Sequence, residues 1–281
     1  MSRAPDPTLY QQLATAVRAA RPVALVTVVE GPQLGAKVLV LGDVPSATRR
    51  DAAEPTDVSG EADDVVGSLG GSPELDRRAA WEGRGALARG GTRLVHECAE
   101  NTLFVEAFVA PPQLVVFGAI DFTAALVKVA KVLGYRVTVC DARPVFATRL
   151  RFPDADEVVV DWPDRLLARV GPQLGPRDAV CVLTHDAKFD VPAIASALAT
   201  GVGYVGALGS RRTHAERLVR LKEAGVDGAG LERLRSPIGL DIGARTPEET
   251  AVAICAEIVA DQTNSSPARL TETAGPIHRR G

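Results

Sequence analysis

Residues 114–123 read LVVFGAIDFT and combine an apolar, β-branched run with a glycine turn and the start of a helical pattern. Asp141 follows at the end of the next strand-like run, about twenty residues after Gly118. A strand, a glycine turn, a helix and a strand-end carboxylate in this order are typical of a dinucleotide-binding unit. That fingerprint also needs glycine where Ile120 and Thr123 stand, so binding of NAD(P) in the usual mode is the weaker interpretation.

The carboxylates beside this turn leave two interpretations open. Asp141 can accept hydrogen bonds from ribose hydroxyls, or it can be a strand-end carboxylate held by Arg143. Asp121 stands where the helix begins, so it would compete with a phosphate for the helix amides or act as a plain N-cap. We include Gly118, Asp121 and Asp141 among the candidate ligand-binding residues.

A second glycine turn lies in residues 202–214, which read VGYVGALGSRRTH. Its glycines allow a tight turn, its serine can cap the next helix, and the free amides of that helix can bind an anion. Its two arginines oppose the helix dipole, which a bound phosphate would offset; solvated arginines or ion pairs with a carboxylate such as Asp241 are the alternative. The predicted phosphate site comprises Gly206, Gly209, Ser210, Arg211 and Arg212.

A polar segment after the apolar run at residues 179–183 adds two candidates. His185 and Asp186 fall at the carboxyl end of a predicted strand, where open α/β sheets bind ligands. Hydrogen bonding to a ligand is favoured over a metal site, because Asp190 can serve as the N-cap of the next helix, predicted over residues 191–199. A turn satisfied by its own side chains is the alternative, and we predict no metal.

The pattern around these turns predicts the fold. Beyond the prolines at 111 and 112, continuous apolar strands alternate with helices, which predicts a parallel sheet covered on both faces over residues 113–262. The last helix has the clearest signals: Thr246 as cap, Pro247 at its first position, Glu249 in a capping box and an apolar stripe after them.

The first 110 residues show helices and strands in another order and predict a smaller α+β domain. Residues 42–64 are polar and nearly free of large apolar side chains, so we expect a mobile insertion there. Residues 263–281 are polar as well and predict a loose tail.

Composition and charge exclude several classes of protein. Of the 281 residues, 46% are hydrophobic and 24% are charged, which is typical of a globular α/β protein. A net charge of −3 gives no electrostatic basis for a nucleic-acid surface or a polybasic membrane patch. Residues 1–9 lack a signal-peptide core and no apolar run reaches the roughly eighteen residues of a spanning helix, so we expect a cytoplasmic protein.

The four cysteines stand far apart and lack the spacing of a metal site or a disulfide framework. Cys140, Cys181 and Cys255 fall on strand or helix patterns of the core. Cys98 stands in a polar segment, so an exposed thiol there is a candidate ligand or sulfur carrier.

Four motifs resemble the XdhC/CoxI family, and together they extend over nearly the whole chain. They are GSLGG at 67–71 with Glu74, LTHD at 183–186, residues 204–214, and SPIGLDIGA at 236–244 with TPEE at 246–249. The resemblance implies an N-terminal XdhC/CoxI domain and a C-terminal Rossmann-like XdhC domain.

The resemblance also implies a function. Members of this family are maturation factors for xanthine dehydrogenase and related molybdenum hydroxylases such as carbon monoxide dehydrogenase. They bind the molybdenum cofactor, present it for sulfuration by a cysteine desulfurase and deliver it to the apoenzyme. For this chain we therefore expect molybdopterin or its dinucleotide form as ligand, those two proteins as partners, a homodimer, and a cofactor-binding chaperone rather than a turnover enzyme.

The chain departs from the family pattern at three places. Ile120 and Asp121 stand where many relatives have a glycine and a histidine, and Ser72-Pro73 replaces a cysteine after the Gly-Gly turn. Cys98 matches a family cysteine, but Ala99 and Glu100 follow it in place of two glycines. Two rival functions stay open: an NAD(P)-dependent oxidoreductase, which the strand-turn-helix pattern and Asp141 favour, and a scaffold that only docks partner proteins, which the altered glycine turn permits.

Overall fold

The computed structural model describes residues 7–42, 64–98, 100–184 and 186–275. The chain divides into two compact units, Met1–Ala110 and Pro111–Gly281. The predicted insertion at 42–64 falls almost entirely outside the described residues, as do His185 and the last six residues of the predicted tail. No helix among the described residues has both the length and the apolar character needed to cross a membrane.

The first unit is an antiparallel sheet with a helix on each face. Its strands pair in the order β3-β2-β1-β5-β4. Side chains of β1 alternate between the faces, so Val26 and Val28 join the core beneath α2, while Val23 packs with Leu9 of α1 on the other face. In chain order the elements are α1 (Pro7–Arg18), β1 (Val23–Glu30), β2 (Lys37–Leu41), β3 (Val65–Gly67), α2 (Pro73–Arg89), β4 (Gly91–Cys98) and β5 (Asn101–Phe108).

The second unit is a six-stranded parallel sheet with strand order β11-β10-β9-β6-β7-β8. The chain first runs outward from β6 to β8 and then from β9 to β11, which is the order of the doubly wound, Rossmann-like fold. The elements are β6 (Gln113–Phe117), α3 (Asp121–Val132), β7 (Arg136–Cys140), β8 (Glu157–Val159), α4 (Pro163–Val170), β9 (Ala179–Val182), α5 (Ala187–Leu198), β10 (Tyr204–Ala207), α6 (Arg211–Glu223), α7 (Gly228–Glu232), β11 (Leu234–Arg235) and α8 (Pro247–Gln262). The predicted α/β fold is confirmed, and its ligand-binding position is the reversal point between β6 and β9.

The central strands are apolar along their whole length because both faces of the sheet are covered. Leu114 and Val116 of β6 belong to the layer that contains α3 and α8, whereas Val115 and Phe117 belong to the layer that contains α4, α5 and α6. A strand in this position has no polar face. Residues 114–117 are therefore all apolar because each of them faces one of the two core layers.

Helix α8 forms as predicted. The Thr246 hydroxyl accepts a hydrogen bond from the Glu249 amide at 3.2 Å, and the Glu249 carboxylate accepts one from the Thr246 amide at 3.1 Å. Pro247 is the first helical residue. The residues predicted to form the apolar stripe are all buried: Ala251, Ile254, Cys255 and Ile258.

One predicted helix start is wrong. Helix α5 begins at Ala187, four residues before the predicted start, and its N-cap is Asp186, whose carboxylate accepts from the Lys188 amide at 3.0 Å. Asp190 therefore lies inside the helix and is not its cap. Helix α3 begins at Asp121, and its N-cap residue is Ile120, which makes no side-chain capping bond, so the alternative of Asp121 as a plain N-cap is not borne out.

Gly206 provides a stability test because it lies inside β10 rather than in the turn that follows. A β-carbon at this position would lie 2.5 Å from Ile238 Cδ1 and 2.7 Å from the Tyr204 hydroxyl oxygen. We expect Gly206→Ala to lower the free energy of unfolding by about 1–3 kcal/mol, since it overpacks a close contact in the core. Urea denaturation measures this difference.

The matched control is Gly228→Ala at the first position of α7. A β-carbon there meets nothing within 4 Å, so we expect a change of about 0.5 kcal/mol or less. Equal losses in the two variants would contradict the packing role of Gly206.

Candidate functional site

The carboxyl edge of the parallel sheet brings the predicted turns side by side. The Leu183 amide donates to the Phe117 carbonyl at 2.8 Å, and the Leu208 amide donates to the Val182 carbonyl at 2.8 Å, so the exits of β6, β9 and β10 are neighbours. Adjacent strands lie about 4.8 Å apart, which puts the exits of β6 and β10 about 10 Å apart across β9. One extended ligand can therefore reach both glycine turns.

A narrow crevice opens at the reversal point. Gly118 has a φ of +110°, and a β-carbon there would lie 2.9 Å from Thr184 Cγ2 and 3.1 Å from the Thr184 amide nitrogen. Glycine is needed for both the backbone angle and the close approach of the two strand exits. The crevice is lined by Phe117, Gly118, Cys140, Asp141, Ala142, Arg143, Pro163, Thr184 and Phe189.

Asp141 lies at the floor of this crevice and is 6% exposed. Its Oδ1 accepts from the Arg143 Nε at 2.9 Å and from the Arg143 amide at 3.0 Å. Its Oδ2 accepts from the Arg143 Nη2 at 2.8 Å and from the Ala119 amide at 2.9 Å. Of the two interpretations that the sequence left open, the structure contains the second, a carboxylate held by Arg143.

The electrostatics of Asp141 follow from these contacts. Burial on its own raises the pKa of this carboxyl, but the Arg143 side chain and the amides of Ala119 and Arg143 outweigh burial and hold the pKa below its ordinary value. Asp141 is therefore an ionised acceptor at neutral pH. The same pair raises the pKa of Arg143.

Asp121 is the first residue of α3 and does not line the crevice. Its side chain is 88% exposed and pairs with Arg151 at 3.2 Å. Arg151 also donates to the Ala119 carbonyl at 2.8 Å, and its guanidinium lies 5.7 Å from the centre of the Phe146 ring. The Arg143 guanidinium lies 4.5 Å from that ring, so the segment after β7 places two arginines beside the first glycine turn.

An aromatic wall closes the crevice on the α5 side. The rings of Phe189 and Trp162 lie 4.9 Å apart, and the Lys188 ammonium lies 5.0 Å from the centre of the Trp162 ring. Asp186 is exposed beside them as the cap of α5. Sequence reasoning missed this wall because its members come from different helices and follow no local motif.

The second glycine turn is tighter than predicted. Gly209 has a φ of +153°, and Ser210 caps α6 by accepting from the Thr213 amide at 3.1 Å. Gly206, predicted as part of this turn, belongs to β10 and leaves room for Ile238. The turn therefore consists of Leu208, Gly209 and Ser210.

The two arginines that follow this turn are exposed. Arg212 pairs with Glu216 at 3.2 Å, and its side chain is 90% exposed. Arg211 forms no ion pair with any residue in the described part of the chain. The pair with Glu216 uses only the Arg212 Nε, and breaking it would cost little because an exposed pair contributes only about 0–1 kcal/mol.

One turn into α6, His214 has an Nδ1 atom that is buried and has no hydrogen-bond partner among the described residues. Burial, together with the nearby Arg217, lowers the pKa of this imidazole. A neutral imidazole therefore lies next to the second turn at neutral pH.

Arg217 and Asp190 form a buried ion pair that joins three strand exits. The Arg217 Nη2 lies 3.0 Å from the Asp190 Oδ2, and their side chains are 3% and 5% exposed. Asp190 accepts from the Thr184 hydroxyl after β9, while Arg217 donates to the Leu208 carbonyl at 2.8 Å after β10. Arg217 also donates to the Ser236 hydroxyl at 2.9 Å after β11.

Sequence reasoning missed this pair, since the partners are 27 residues apart. The available signal was the position of Arg217, four residues before the buried Leu221 and so on the inner face of α6.

Cys98 lies in the first unit and not at this edge. The expectation of an exposed thiol is wrong, because β4 extends to Cys98 and its side chain joins the core beneath α2, with 6% exposure. Burial raises the pKa of the thiol, Arg78 opposes this and Glu82 adds to it. The net shift does not favour a thiolate ligand. Within the described ranges, no cluster of three or more His, Cys, Asp or Glu side chains is arranged to hold a metal ion.

A family model described as the XdhC Rossmann domain matches residues 114–258. The chain belongs to the XdhC family. The match begins in β6 and ends in α8, so it includes the crevice, the second glycine turn and the buried ion pair. The family prediction is confirmed.

Curated relatives of this XdhC chain share parts of it. A protein of Bacillus subtilis, named as a probable xanthine dehydrogenase subunit, is 33% identical over 166 residues, which are 59% of this chain and 48% of the relative. The molybdenum cofactor insertion chaperone PaoD of Escherichia coli is 34% identical over 95 residues, which are 34% of this chain and 30% of PaoD. The matched part of the chain spans about half or less of the length of these relatives.

A solved structure aligns over the length of this XdhC chain. It is a xanthine dehydrogenase from Bacillus halodurans with a TM-score of 0.49 and 20% identity. The alignment covers 95% of this chain and 97% of that chain.

The buried pair of the XdhC domain gives a direct stability prediction. We expect Arg217→Met to lower the free energy of unfolding by about 3–5 kcal/mol, because it removes one member of a buried ion pair together with the hydrogen bonds that Arg217 donates to the turns after β10 and β11. Chemical denaturation followed by circular dichroism measures the loss.

Arg212→Met on the same helix is the control. Its side chain is exposed, so the expected change is about 0.5 kcal/mol or less. If the two substitutions had similar effects, the ion pair would not organise the edge.

Proposed function

We propose that this XdhC protein binds the molybdenum cofactor along the carboxyl edge of its six-stranded sheet and is an accessory protein of a xanthine dehydrogenase-type molybdenum hydroxylase. The observation that carries the proposal is the crevice at the β6 and β9 exits, in a domain whose relatives include a protein named molybdenum cofactor insertion chaperone. The Bacillus subtilis relative, whose name refers to xanthine dehydrogenase, supports the same recipient class.

The residues at this edge fit a ligand that carries a phosphate and a flat heterocycle. Gly118 lets the exits of β6 and β9 approach each other closely, and the crevice that they line has the ring of Phe189 on one side. Arg143 and Arg211 are cations near the two turns, and the free amides at the start of α6 face the same edge. The phosphate and the heterocycle of one ligand can therefore be bound at the same time.

We assign roles to the candidate residues accordingly. The turn of Gly209 and Ser210, with Arg211 and Arg212, holds a phosphate. Gly118, Asp141, Asp186 and His185, which lies outside the described residues, contact the remainder of the ligand. Asp121 stays outside the crevice with Arg151, and Gly206 supports the turn from within β10.

When bound, the cofactor supplies the metal chemistry that the recipient enzyme uses. The chain binds it, orients it and shields it from water. A cysteine desulfurase that sulfurates the cofactor and the hydroxylase apoenzyme that receives it are the proposed partners, and the proposed active form is a homodimer. The protein then acts as a chaperone and needs no turnover of its own.

An NAD(P)-dependent oxidoreductase is the second candidate, and Asp141 is the observation that favours it. The turn argues against it, because Ile120 and the buried Thr123 occupy two positions where a dinucleotide fingerprint needs glycine. A scaffold that only docks proteins does not account for the crevice.

Co-purification is the experiment that tests the proposed function. The chain is expressed together with the enzymes of cofactor biosynthesis, and bound pterin is detected as its oxidised fluorescent derivative. We expect stoichiometric pterin and no saturable binding of NAD(P)H. Protein free of pterin with micromolar affinity for NAD(P)H would overturn the proposal in favour of the oxidoreductase.

The phosphate contact has its own test. We expect Arg211→Ala combined with Arg212→Ala to weaken cofactor binding by about tenfold or more, because each charge-assisted hydrogen bond contributes about 1.5–3 kcal/mol. Both side chains are exposed, so the thermal transition should shift little.

Arg220→Ala combined with Lys222→Ala removes the same charge from the other end of α6 and should leave binding unchanged. Equal binding by wild type and the Arg211/Arg212 variant would remove this turn from the site.

A further inference from the structure

The antiparallel sheet of the first unit ends in a long edge strand, β4. This strand has eight residues and pairs with β5 on one side, and no described strand pairs with its other side. The other three sheet edges in the described part of the chain are β3, β8 and β11, which have three, three and two residues. A short edge offers few unpaired backbone groups, whereas a long edge offers a row of them to another strand. Among these edges, β4 is therefore the one suited to accept a further strand.

The sequence of β4 leaves this edge open. It reads GTRLVHEC and contains neither proline nor lysine, two residues that often protect an edge strand. Its pairing with β5 is regular from Gly91 to Val95, and the register shifts only between Val95 and Cys98. Arg93 forms an ion pair with Glu82 of α2, whose side chain is 1% exposed. The charge of Arg93 is thus compensated within the first unit and does not oppose an incoming strand.

An apolar row on the outer face of the sheet leads to this edge. Leu94 in the middle of β4 is 55% exposed, and Phe104 of β5 lies directly opposite it. The next pair, Val95 and Leu103, packs in the core beneath α2, so Leu94 and Phe104 lie on the other face of the sheet. The row therefore ends at the open edge with an exposed leucine.

We infer that β4 pairs antiparallel with β4 of a second copy of this chain, about a two-fold axis that passes beside Leu94. The inference rests on the homodimer of the proposed function and deepens it by naming the interface. In such an interface the same surface of both copies is used, so one choice of centre fixes every residue pair. With the centre at Leu94, this residue faces its own copy, Arg93 faces the partner's Val95, and Thr92 faces the partner's His96.

The side chains of β4 favour a second copy as the incoming strand. A centre at Arg93 would set two guanidinium groups directly opposite each other, and like charges in that position are destabilising. A centre at Leu94 avoids this and joins the apolar row of one copy, Phe104 and Leu94, to the same row of the other. Two five-stranded sheets then become one continuous sheet, and the exposed leucine of each copy is covered by the other.

Size-exclusion chromatography with light scattering of the purified full chain, without the molybdenum cofactor, tests this inference. Wild type should have twice the chain mass of 29.5 kDa. Leu94→Arg sets two cations opposite each other at the axis and should give the mass of a single chain. Leu150→Arg is the matched control, because Leu150 is 92% exposed in the second unit, and this variant should remain a dimer.

A disulfide cross-link tests the same pairing without disrupting it. Facing residues of antiparallel strands have Cα atoms about 4.5–5.5 Å apart, which suits a disulfide. In Leu94→Cys, the two facing thiols should each lose a proton and an electron to diamide, which is reduced to its hydrazine, and form a covalent dimer on a non-reducing gel. The four native cysteines are buried, and Leu150→Cys should stay a single chain under the same treatment.

Two results would overturn the inference. A monomeric wild type would leave β4 to a strand of another protein. A dimer that persists in Leu94→Arg and forms no cross-link in Leu94→Cys would have its interface elsewhere. Both are distinguishable from failure of the proposed function, since bound pterin is measured separately and the cofactor site is proposed in the second unit.

Discussion

The buried ion pair between Arg217 and Asp190 is the constraint on which the edge of the parallel sheet depends. Two opposite charges with 3% and 5% exposure must satisfy each other and their remaining hydrogen-bonding groups inside the protein. They do so with Thr184, Leu208 and Ser236, which follow β9, β10 and β11. The turns that surround the candidate site are therefore held to one another by side chains as well as by the last backbone hydrogen bonds of the sheet.

Because the carboxyl edge of the parallel sheet is held in place, the candidate ligand-binding turns are formed before a ligand arrives. Gly118 and the turn after β10 keep their spacing without a ligand, so little ordering is needed when a ligand binds. Exposed cationic side chains surround this frame: Arg143 is half exposed, and Arg211 and Arg212 are exposed to solvent. In our proposal, the backbone of the two glycine turns is preformed, and the arginine side chains adjust when the ligand binds.

The fold was predictable from the sequence because its signals are local. The apolar run at 114–117, the glycine turn after it and the capping box of α8 each depend on residues that are neighbours in the chain. The start of helix α5 was not predictable from the sequence, because both Asp186 and Asp190 are residue types that suit an N-cap. Asp190 instead pairs with the buried Arg217, which is distant in sequence, and Asp186 is the cap.

The site was predictable only in part for the same reason. The positions of Gly118, Asp141 and Ser210 after strands of the parallel sheet were predictable from the local sequence pattern, and their contact with a ligand stays a proposal. The aromatic wall of Phe189 and Trp162 joins elements that are distant in sequence, and Gly206 has a packing role set by Ile238. Cys98 is buried because β4 continues as far as this residue, and the polar residues around it gave no sign in the sequence that the strand extends so far.

Hydrogen–deuterium exchange of the protein with and without its co-purified cofactor tests the central claim most directly. We expect slower exchange in three segments upon binding: residues 118–124, 183–190 and 207–214. The antiparallel sheet of the first unit should be unaffected. Protection confined to that sheet, with the three segments unchanged, would contradict the assignment of the site to the carboxyl edge.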